Sequence, residues 1–215
     1  MKHIEKHKPP GSLEQWLALG NDNWQPTYDN LQNPQKAQLQ RNLLAEQGWI
    51  CCYCGRSVSE EDSHIEHFRP QEHYPNLALD YGNLHASCLR MTNPGTPLHC
   101  GHAKGDKFDE DQAISPLEPD CGLQFRYTLD GQILPNSGKA VYMCNLLRLD
   151  SEFLNARREQ ILEGALSSEI LDSATDEDLL RLQESFKRPD INGHLPNFGH
   201  VVARYIEQLR QQPNV

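Results

Sequence analysis

Residues 51–107 contain two sets of side chains that bind metal ions, and the two sets alternate along the chain. The first set consists of cysteines: Cys51, Cys54, Cys88 and Cys100. The second set is polar: Glu66, His67, Asn83, His102 and Asp106. Thiolates favour a soft structural ion such as zinc, whereas carboxylates and imidazoles suit a harder ion that takes part in catalysis. The pattern therefore predicts a zinc-stabilised hairpin that presents a hydrolytic metal site.

The pair Cys51-x-x-Cys54, followed by Gly55, is typical of a tight turn that directs two thiolates towards one ion. Cys88 and Cys100 can complete a set of four. Four thiolates would close the site to water, which is the property of a structural zinc site. We therefore predict structural zinc at this position.

Two alternatives remain at the cysteine set. His99 or His102 could replace one thiolate as a zinc ligand. The cysteines could also be free and buried, because an unligated cysteine behaves as a small apolar residue. The remaining cysteines, Cys121 and Cys144, have no partner motif, and we predict that they belong to the core.

The polar set matches the needs of phosphodiester hydrolysis, which requires a base to deprotonate water and a cation to stabilise the developing charge. A histidine such as His67 suits the first task, and the adjacent Glu66 can bind the cation. His102 and Asp106 are four residues apart, so on a helix they would project from one face. With Glu66 they would bind a divalent ion, with Mg or Mn expected. Asn83 could brace the loop that carries the base.

Three cations near the polar set are candidates for binding phosphate oxygens: Arg69, Lys104 and Lys107. For Arg69 an ion pair with Glu66 or Glu72 is an equally good interpretation. The chain as a whole has a formal net charge of −10, and residues 51–108 contain five Lys and Arg against seven Asp and Glu. Because phosphate contacts supply most nonspecific affinity for nucleic acid, we expect a partner to help bring the substrate.

Three segments are predicted: a helical one over 1–50, the Cys- and His-rich one over 51–108, and a hairpin followed by helices over 109–215. Capping signals predict helix starts at Ser12, after Asn33-Pro34, at Asp150 and at Thr175. A strand-turn-strand pattern covers 125–134. An apolar stripe at helical spacing is expected to be core, with a docking face as the alternative: Phe198, Val201, Val202, Tyr205, Ile206 and Leu209. The fold class is α+β.

Four strings carry a resemblance to the HNH endonucleases: residues 47–56 (QGWICCYCGR), 65–70 (IEHFRP), 80–84 (DYGNL) and 100–106 (CGHAKGD). More closely, the chain resembles the PtuB-type HNH proteins of Septu and retron-linked anti-phage systems. The likeness covers most of the chain and is tightest over 47–107. One departure concerns the last two cysteines, which are separated by eleven residues, against two in common HNH knuckles.

The resemblance implies a ββα-metal module with structural zinc, flanked by N- and C-terminal helices. It implies that His67 is the general base, that Glu66 and His102 bind the catalytic metal, and that Asn83 orients the base. Asp106 corresponds less closely, since a second helix ligand is not always present. The resemblance also implies an ATPase partner of the PtuA type.

The predicted function is therefore metal-dependent cleavage of nucleic acid, with DNA favoured, as the nuclease subunit of an anti-phage complex. RNA, such as a tRNA anticodon loop, is an alternative substrate. A noncatalytic zinc-ribbon adaptor is an alternative of another class, although an adaptor would not need Glu66, His67 and His102. The polar first ten residues predict neither a signal peptide nor a membrane span, so a cytoplasmic location is expected.

Overall fold

A computed structural model describes residues 1–92 and 94–211, and it confirms the α+β class. The described residues form eight α-helices and two separate two-stranded antiparallel sheets. In chain order the elements are α1 (Gly11–Leu17), α2 (Gln35–Glu46), β1 (Ser63–His67), β2 (Leu84–Cys88), α3 (Gly101–Lys104), β3 (Phe125–Tyr127), β4 (Ile133–Pro135), α4 (Gly138–Leu147), α5 (Glu152–Ala165), α6 (Ser168–Ser173), α7 (Asp176–Ser185) and α8 (Gly199–Gln211).

The two N-terminal helices pack one apolar face each against the core. The predicted capping box at Ser12 is wrong, because α1 already begins at Gly11 after Pro10 and has no side-chain cap. Helix α2 begins directly after Pro34, as predicted, and buries its apolar side: Leu39, Leu43 and Leu44. Gly48 follows the helix with φ +70°, a left-handed conformation that glycine adopts without a steric penalty.

Strands β1 and β2 form the hairpin that carries the polar set. Glu66 faces His85 across the ladder, and His67 faces Leu84. At the opposite end of the hairpin Ser63 pairs with Cys88. Since a strand rises about 3.3 Å per residue, the cysteine end and the Glu66-His67 end are separated by the length of the strand. The short helix α3 follows β2 and starts next to Cys100.

The C-terminal segment contains the predicted hairpin, as β3 and β4, followed by five helices. The predicted cap at Asp150 is wrong, because Ser151 precedes the first residue of α5 and makes no side-chain cap hydrogen bond. The capping box of Thr175 and Asp178 is present at the start of α7. Helices α4 and α6 had not been predicted.

One apolar core includes buried residues of all three predicted segments, from Ile4 to Ile206. Val201, Val202 and Ile206 of α8 are buried in it, which confirms that this stripe is core. The segment boundaries stay a prediction. Within residues 1–92 and 94–211, no helix is long and apolar enough to cross a membrane.

Candidate metal and catalytic centre

The predicted cysteine set assembles into one buried cluster. The sulfur atoms of Cys51, Cys54, Cys88 and Cys100 all lie within 4.8 Å of one another, and 3.9 Å separates the sulfurs of Cys54 and Cys88. In a tetrahedral site with Zn–S bonds of 2.3 Å, neighbouring sulfurs are about 3.8 Å apart. The four thiols therefore have the chemistry, the number and the spacing that structural zinc requires.

The surroundings of the cluster favour one thiolate, at Cys51, whereas hydrogen bonds within the cluster and burial raise the pKa of the Cys88 and Cys100 thiols. Burial alone would raise the pKa of the Cys51 thiol, but hydrogen bonds from Cys100, Cys52, Cys54 and Cys88 together hold it well below its usual range. His99 is buried, and its Nδ1 lies 3.2 Å from the sulfur of Cys100 and 3.6 Å from that of Cys88. Cys100 completes the group of four sulfurs, and His99 contacts two of them, so the identity of the fourth zinc ligand stays a prediction.

Glu66 is the buried carboxylate of the site. Its Oε1 accepts a hydrogen bond from the Tyr53 hydroxyl at 3.0 Å and lies 3.0 Å from the ammonium of Lys104. Its Oε2 lies 3.3 Å from Nε2 of His64. Burial alone would raise the pKa of the Glu66 carboxyl, but the His64 hydrogen bond and the Lys104 charge lower it. The carboxylate is therefore kept ionised and able to bind a cation.

His67 is held on two sides. Its Nε2 lies 3.0 Å from the carbonyl oxygen of Ala78. The Tyr28 ring packs against it nearly perpendicular, with 4.4 Å between ring centroids. Burial lowers the pKa of His67, and the contact with Ala78 offsets part of that decrease. The imidazole is thus favoured in its neutral form, which a general base requires.

Asn83 braces the loop between the two strands. Its Oδ1 accepts from the Arg69 backbone N–H at 2.7 Å, and its Nδ2 donates to the carbonyls of Arg69 and Leu77 at 3.0 and 3.1 Å. Leu77 directly precedes Ala78, whose carbonyl contacts His67. Asn83 is therefore placed to act on the base through the backbone.

The prediction that His102 and Asp106 share a helix face is wrong. Helix α3 ends at Lys104, and Gly105 takes a φ of +56°, so Asp106 lies outside the helix. Nε2 of His102 contacts the carbonyl of Leu89. In residues 1–92 and 94–211, the four cysteines are the only group of three or more His, Cys, Asp or Glu whose ligand atoms all lie within 4.8 Å. The structure therefore does not gather the predicted Glu66, His102 and Asp106 ligands into one such group.

The imidazole of His64 makes contacts with both Glu66 and His102. It contacts Glu66, and its ring centroid is 4.7 Å from that of His102. A Cβ atom on Gly101 would lie 2.7 Å from Nε2 of His64 and closer still to Oε2 of Glu66. Glycine at position 101 therefore permits the first turn of α3 to approach the carboxylate.

The three cations predicted to bind phosphate are placed differently. Arg69 forms an ion pair with Glu110, in which Nε lies 2.9 Å from Oε2, so its partner is neither Glu66 nor Glu72. Lys104 is buried against Glu66. Lys107 lines a separate cavity on the other side of α3, together with residues of α4. Phosphate binding by these three residues stays a prediction.

A cleft of about 240 Å³ opens over the carboxylate and the base. Glu66, His67, Lys104 and Asp106 line it, and the loop from Pro70 to Glu72 forms its rim. Asp106 is thus close to the predicted centre although it does not reach it through a helix. Three members of the polar set, Glu66, His67 and Asp106, therefore share one concave surface, whereas Asn83 and His102 do not line it.

Two known proteins are similar to this chain in sequence. A retron Vc95 protein of Vibrio cholerae serotype O1 biovar El Tor, whose name assigns it to the HNH endonucleases, is 33% identical over 107 residues. That match covers 48% of this chain and 50% of the retron protein, so it spans half the length of that relative. The Septu protein PtuB of Bacillus thuringiensis is 30% identical over 98% of this chain and 74% of its own length. The chain belongs to the PtuB family.

This confirms the resemblance that the sequence strings indicated. No family model matches the chain. The hairpin, the following short helix and the four-cysteine cluster fit a zinc-binding α+β module within a mostly helical protein.

Two side chains at the site had not been predicted to belong to it. His64 precedes Glu66 by two residues, so the alternation of a strand was a signal that both lie on one face. Tyr28 lies in the segment before α2, and no sequence pattern connects it to His67. The contact between them arises from tertiary packing alone.

Proposed function

We propose that this chain is a metal-dependent HNH endonuclease that hydrolyses phosphodiester bonds of DNA in anti-phage defence. The observation that carries the proposal is the contact between Nε2 of His67 and the carbonyl oxygen of Ala78. A carbonyl oxygen only accepts hydrogen bonds, so Nε2 must carry the proton. The lone pair then resides on Nδ1, in a ring that lines the same cleft as a buried carboxylate.

In this proposal Nδ1 of His67 takes the proton of the attacking water. The Ala78 carbonyl stabilises the imidazolium that forms, and Asn83 holds the loop in which that carbonyl lies. Water attack on phosphorus would then release one ester oxygen as the leaving group. These roles follow from the hydrogen bonds of the two side chains.

A divalent ion, Mg or Mn, would be bound by Glu66 and His102, with Asp106 on the rim of the cleft. The donor chemistry supports this, because the Glu66 carboxylate stays ionised although buried, the His64 imidazole contacts it, and the His102 ring packs against His64. The ion would supply charge stabilisation at the phosphate and the leaving oxygen. Zinc at the four cysteines would hold the opposite end of the hairpin.

The order β1, β2, α3 around the cysteine cluster supports assignment of residues 51–108 to a ββα-metal module, with 1–50 and 109–215 as flanking segments. The names of the retron and Septu relatives support a role in defence. An ATPase of the PtuA type is the proposed partner, and the net charge of −10 supports a function that needs help in binding nucleic acid.

The test is cleavage of plasmid DNA and of total RNA by the purified chain, alone and with a co-expressed PtuA-like ATPase. EDTA should stop cleavage, and Mg or Mn should restore it. We expect DNA to be cut by the protein and not by its Glu66→Gln variant. Cleavage of RNA alone would establish the RNA alternative. Failure to cut either substrate with metal and partner present would favour the noncatalytic adaptor.

A further inference from the structure

The N-terminal segment contributes an aromatic side chain that packs against His67, although this side chain does not line the cleft itself. Tyr28 and His67 are both partly buried, and their rings meet at an interplanar angle of 79°. Tyr28 lies outside the four sequence strings that carry the HNH resemblance. The surface around the base therefore includes residues that the module over 51–108 does not contain.

The same tyrosine ring carries a cation. The ammonium nitrogen of Lys36 lies 4.8 Å from the centroid of the Tyr28 ring, within the range of a cation–π contact. In the part of the chain that the structure describes, the Lys36 side chain makes no ion pair and no hydrogen bond. The Tyr28 ring contacts both His67 and Lys36. The Lys36 ammonium therefore lies no farther from the centroid of the His67 ring than the sum of the Tyr28–His67 and Lys36–Tyr28 distances.

Two other cations near His67 are already paired. Arg69 is bound by Glu110, and Lys104 is bound by Glu66. A phosphodiester beside His67 brings negative charge that an acidic protein has to balance. Lys36 has an unpaired charge among the described residues, is half-buried, and lies against the aromatic ring that also contacts His67.

We propose that Lys36 binds a backbone phosphate of the nucleic acid next to His67, with the Tyr28 ring as its platform. The inference rests on the proposed nuclease function and names a phosphate-binding residue for it. Because the ammonium is a point charge that recognises phosphate and not bases, its contribution is independent of sequence.

The test is the salt dependence of oligonucleotide binding. All variants carry His67→Gln, which should stop hydrolysis. A DNA duplex of 20 base pairs serves as the probe. Affinity is measured between about 25 and 200 mM salt, since each phosphate contact contributes about 0.9 to the slope of log K against log salt. Lys36→Gln is compared with Lys139→Gln, a matched control because Lys139 is also the second residue of a helix and is exposed.

We expect Lys36→Gln to reduce the slope by about 0.9 and to leave the melting temperature unchanged, whereas Lys139→Gln changes neither. In the same His67→Gln background, the Tyr28→Phe variant should bind DNA as tightly as the His67→Gln parent, and the Tyr28→Leu variant should bind more weakly. If Lys36→Gln and Lys139→Gln have equal slopes of log K against log salt while binding is intact, only the role of Lys36 is overturned, and the proposed nuclease function is not affected. If the chain with His67 intact neither binds nor cuts nucleic acid even with metal and its ATPase present, the nuclease function is overturned, and the inference with it.

Discussion

The carbonyl oxygen of Ala78 lies 3.0 Å from Nε2 of His67, so a backbone group determines which nitrogen of this imidazole carries the proton. The acceptor sits in the loop between β1 and β2, which Asn83 holds by three hydrogen bonds to Arg69 and Leu77. His67 lies at the end of β1, whereas the groups that orient its ring lie in the loop after that strand. This separation makes their contributions measurable one at a time.

Replacing His67 by Ala should lower the rate of cleavage about 100- to 10,000-fold, the usual contribution of a general base. The side chain is partly exposed and lies outside the main core, so zinc content and the melting temperature should change little. His73→Ala is the control, because His73 is an exposed histidine of the same loop. Full activity of the His67 variant would rule out the proposed mechanism.

Asn83→Ala should affect the rate through geometry. It leaves the backbone groups of Arg69 and Leu77 without their partner, at a cost of roughly 1–3 kcal/mol for a buried group. We expect kcat to fall while KM stays near its original value, because the loop that orients His67 loosens. Kinetics and urea unfolding measure the two effects. An unchanged kcat in a destabilised variant would show that Asn83 is structural only.

Zinc content separates the two metal sites. Cys54→Ser should lose bound zinc and much of the folded structure, because a structural zinc site contributes directly to folding. Cys144→Ser should keep the zinc, since Cys144 is a core residue outside the cluster. Glu66→Gln should also keep it. Elemental analysis that found equal zinc loss in the Cys54 and Glu66 variants would contradict a model with two sites.

The cysteine cluster was predictable because a Cys-x-x-Cys turn and two later thiols have one economical arrangement around an ion. The prediction that His102 and Asp106 share a helix face failed, because the helix after Cys100 has only one turn and ends before Gly105. Periodicity says nothing about so short an element. The glycine was visible in the sequence and could have served as the stop signal.

Helix α4 had a signal that the sequence analysis missed, since the Ser137 side chain caps it by accepting from the Ala140 backbone N–H. The Tyr28–His67 contact had none. It joins residues that are distant in the chain, and only the packing of the N-terminal segment against the hairpin brings them together. Such contacts between segments are the part of this site that local patterns do not encode.

Acid should destabilise the protein through His85. This imidazole is fully buried, and neither ring nitrogen has a hydrogen-bond partner among the described residues. Burial, and secondarily the Lys6 charge, lowers its pKa from 6.5 to about 3. Below pH 6.5 the unfolded chain binds a proton that the folded chain does not. The stability present above pH 6.5 is therefore lost as the pH falls towards 3, by up to about 1.4 kcal/mol per pH unit.

His85→Leu removes this titration. Between pH 7 and pH 5 the variant should lose less free energy of unfolding than the parent, as measured by urea titration. Loss of zinc in acid affects both proteins alike, so the difference between them reports His85. His73→Gln, at an exposed position, should follow the parent. Parallel curves for the parent and His85→Leu would contradict the assignment.

The last prediction concerns the shortage of positive charge that could bind the phosphate groups of nucleic acid. With a net charge of −10 and with Arg69 and Lys104 engaged by carboxylates, the isolated chain should bind nucleic acid weakly at about 150 mM salt. The proposed phosphate contact of Lys36 would be one contact, whereas tight nonspecific binding needs several. A partner ATPase would then provide the basic surface that holds the backbone over Glu66 and His67.

This dependence is measured by titrating labelled DNA with the chain alone and with the chain bound to its ATPase, at the same salt. Addition of the ATPase should strengthen binding and accelerate cleavage, and the gain should shrink as salt increases, because the added contacts are electrostatic. His67→Ala in the complex should retain the gain in binding without cleavage, which separates capture of the substrate from chemistry. Sub-micromolar binding and full cleavage by the chain alone would show that it needs no such partner.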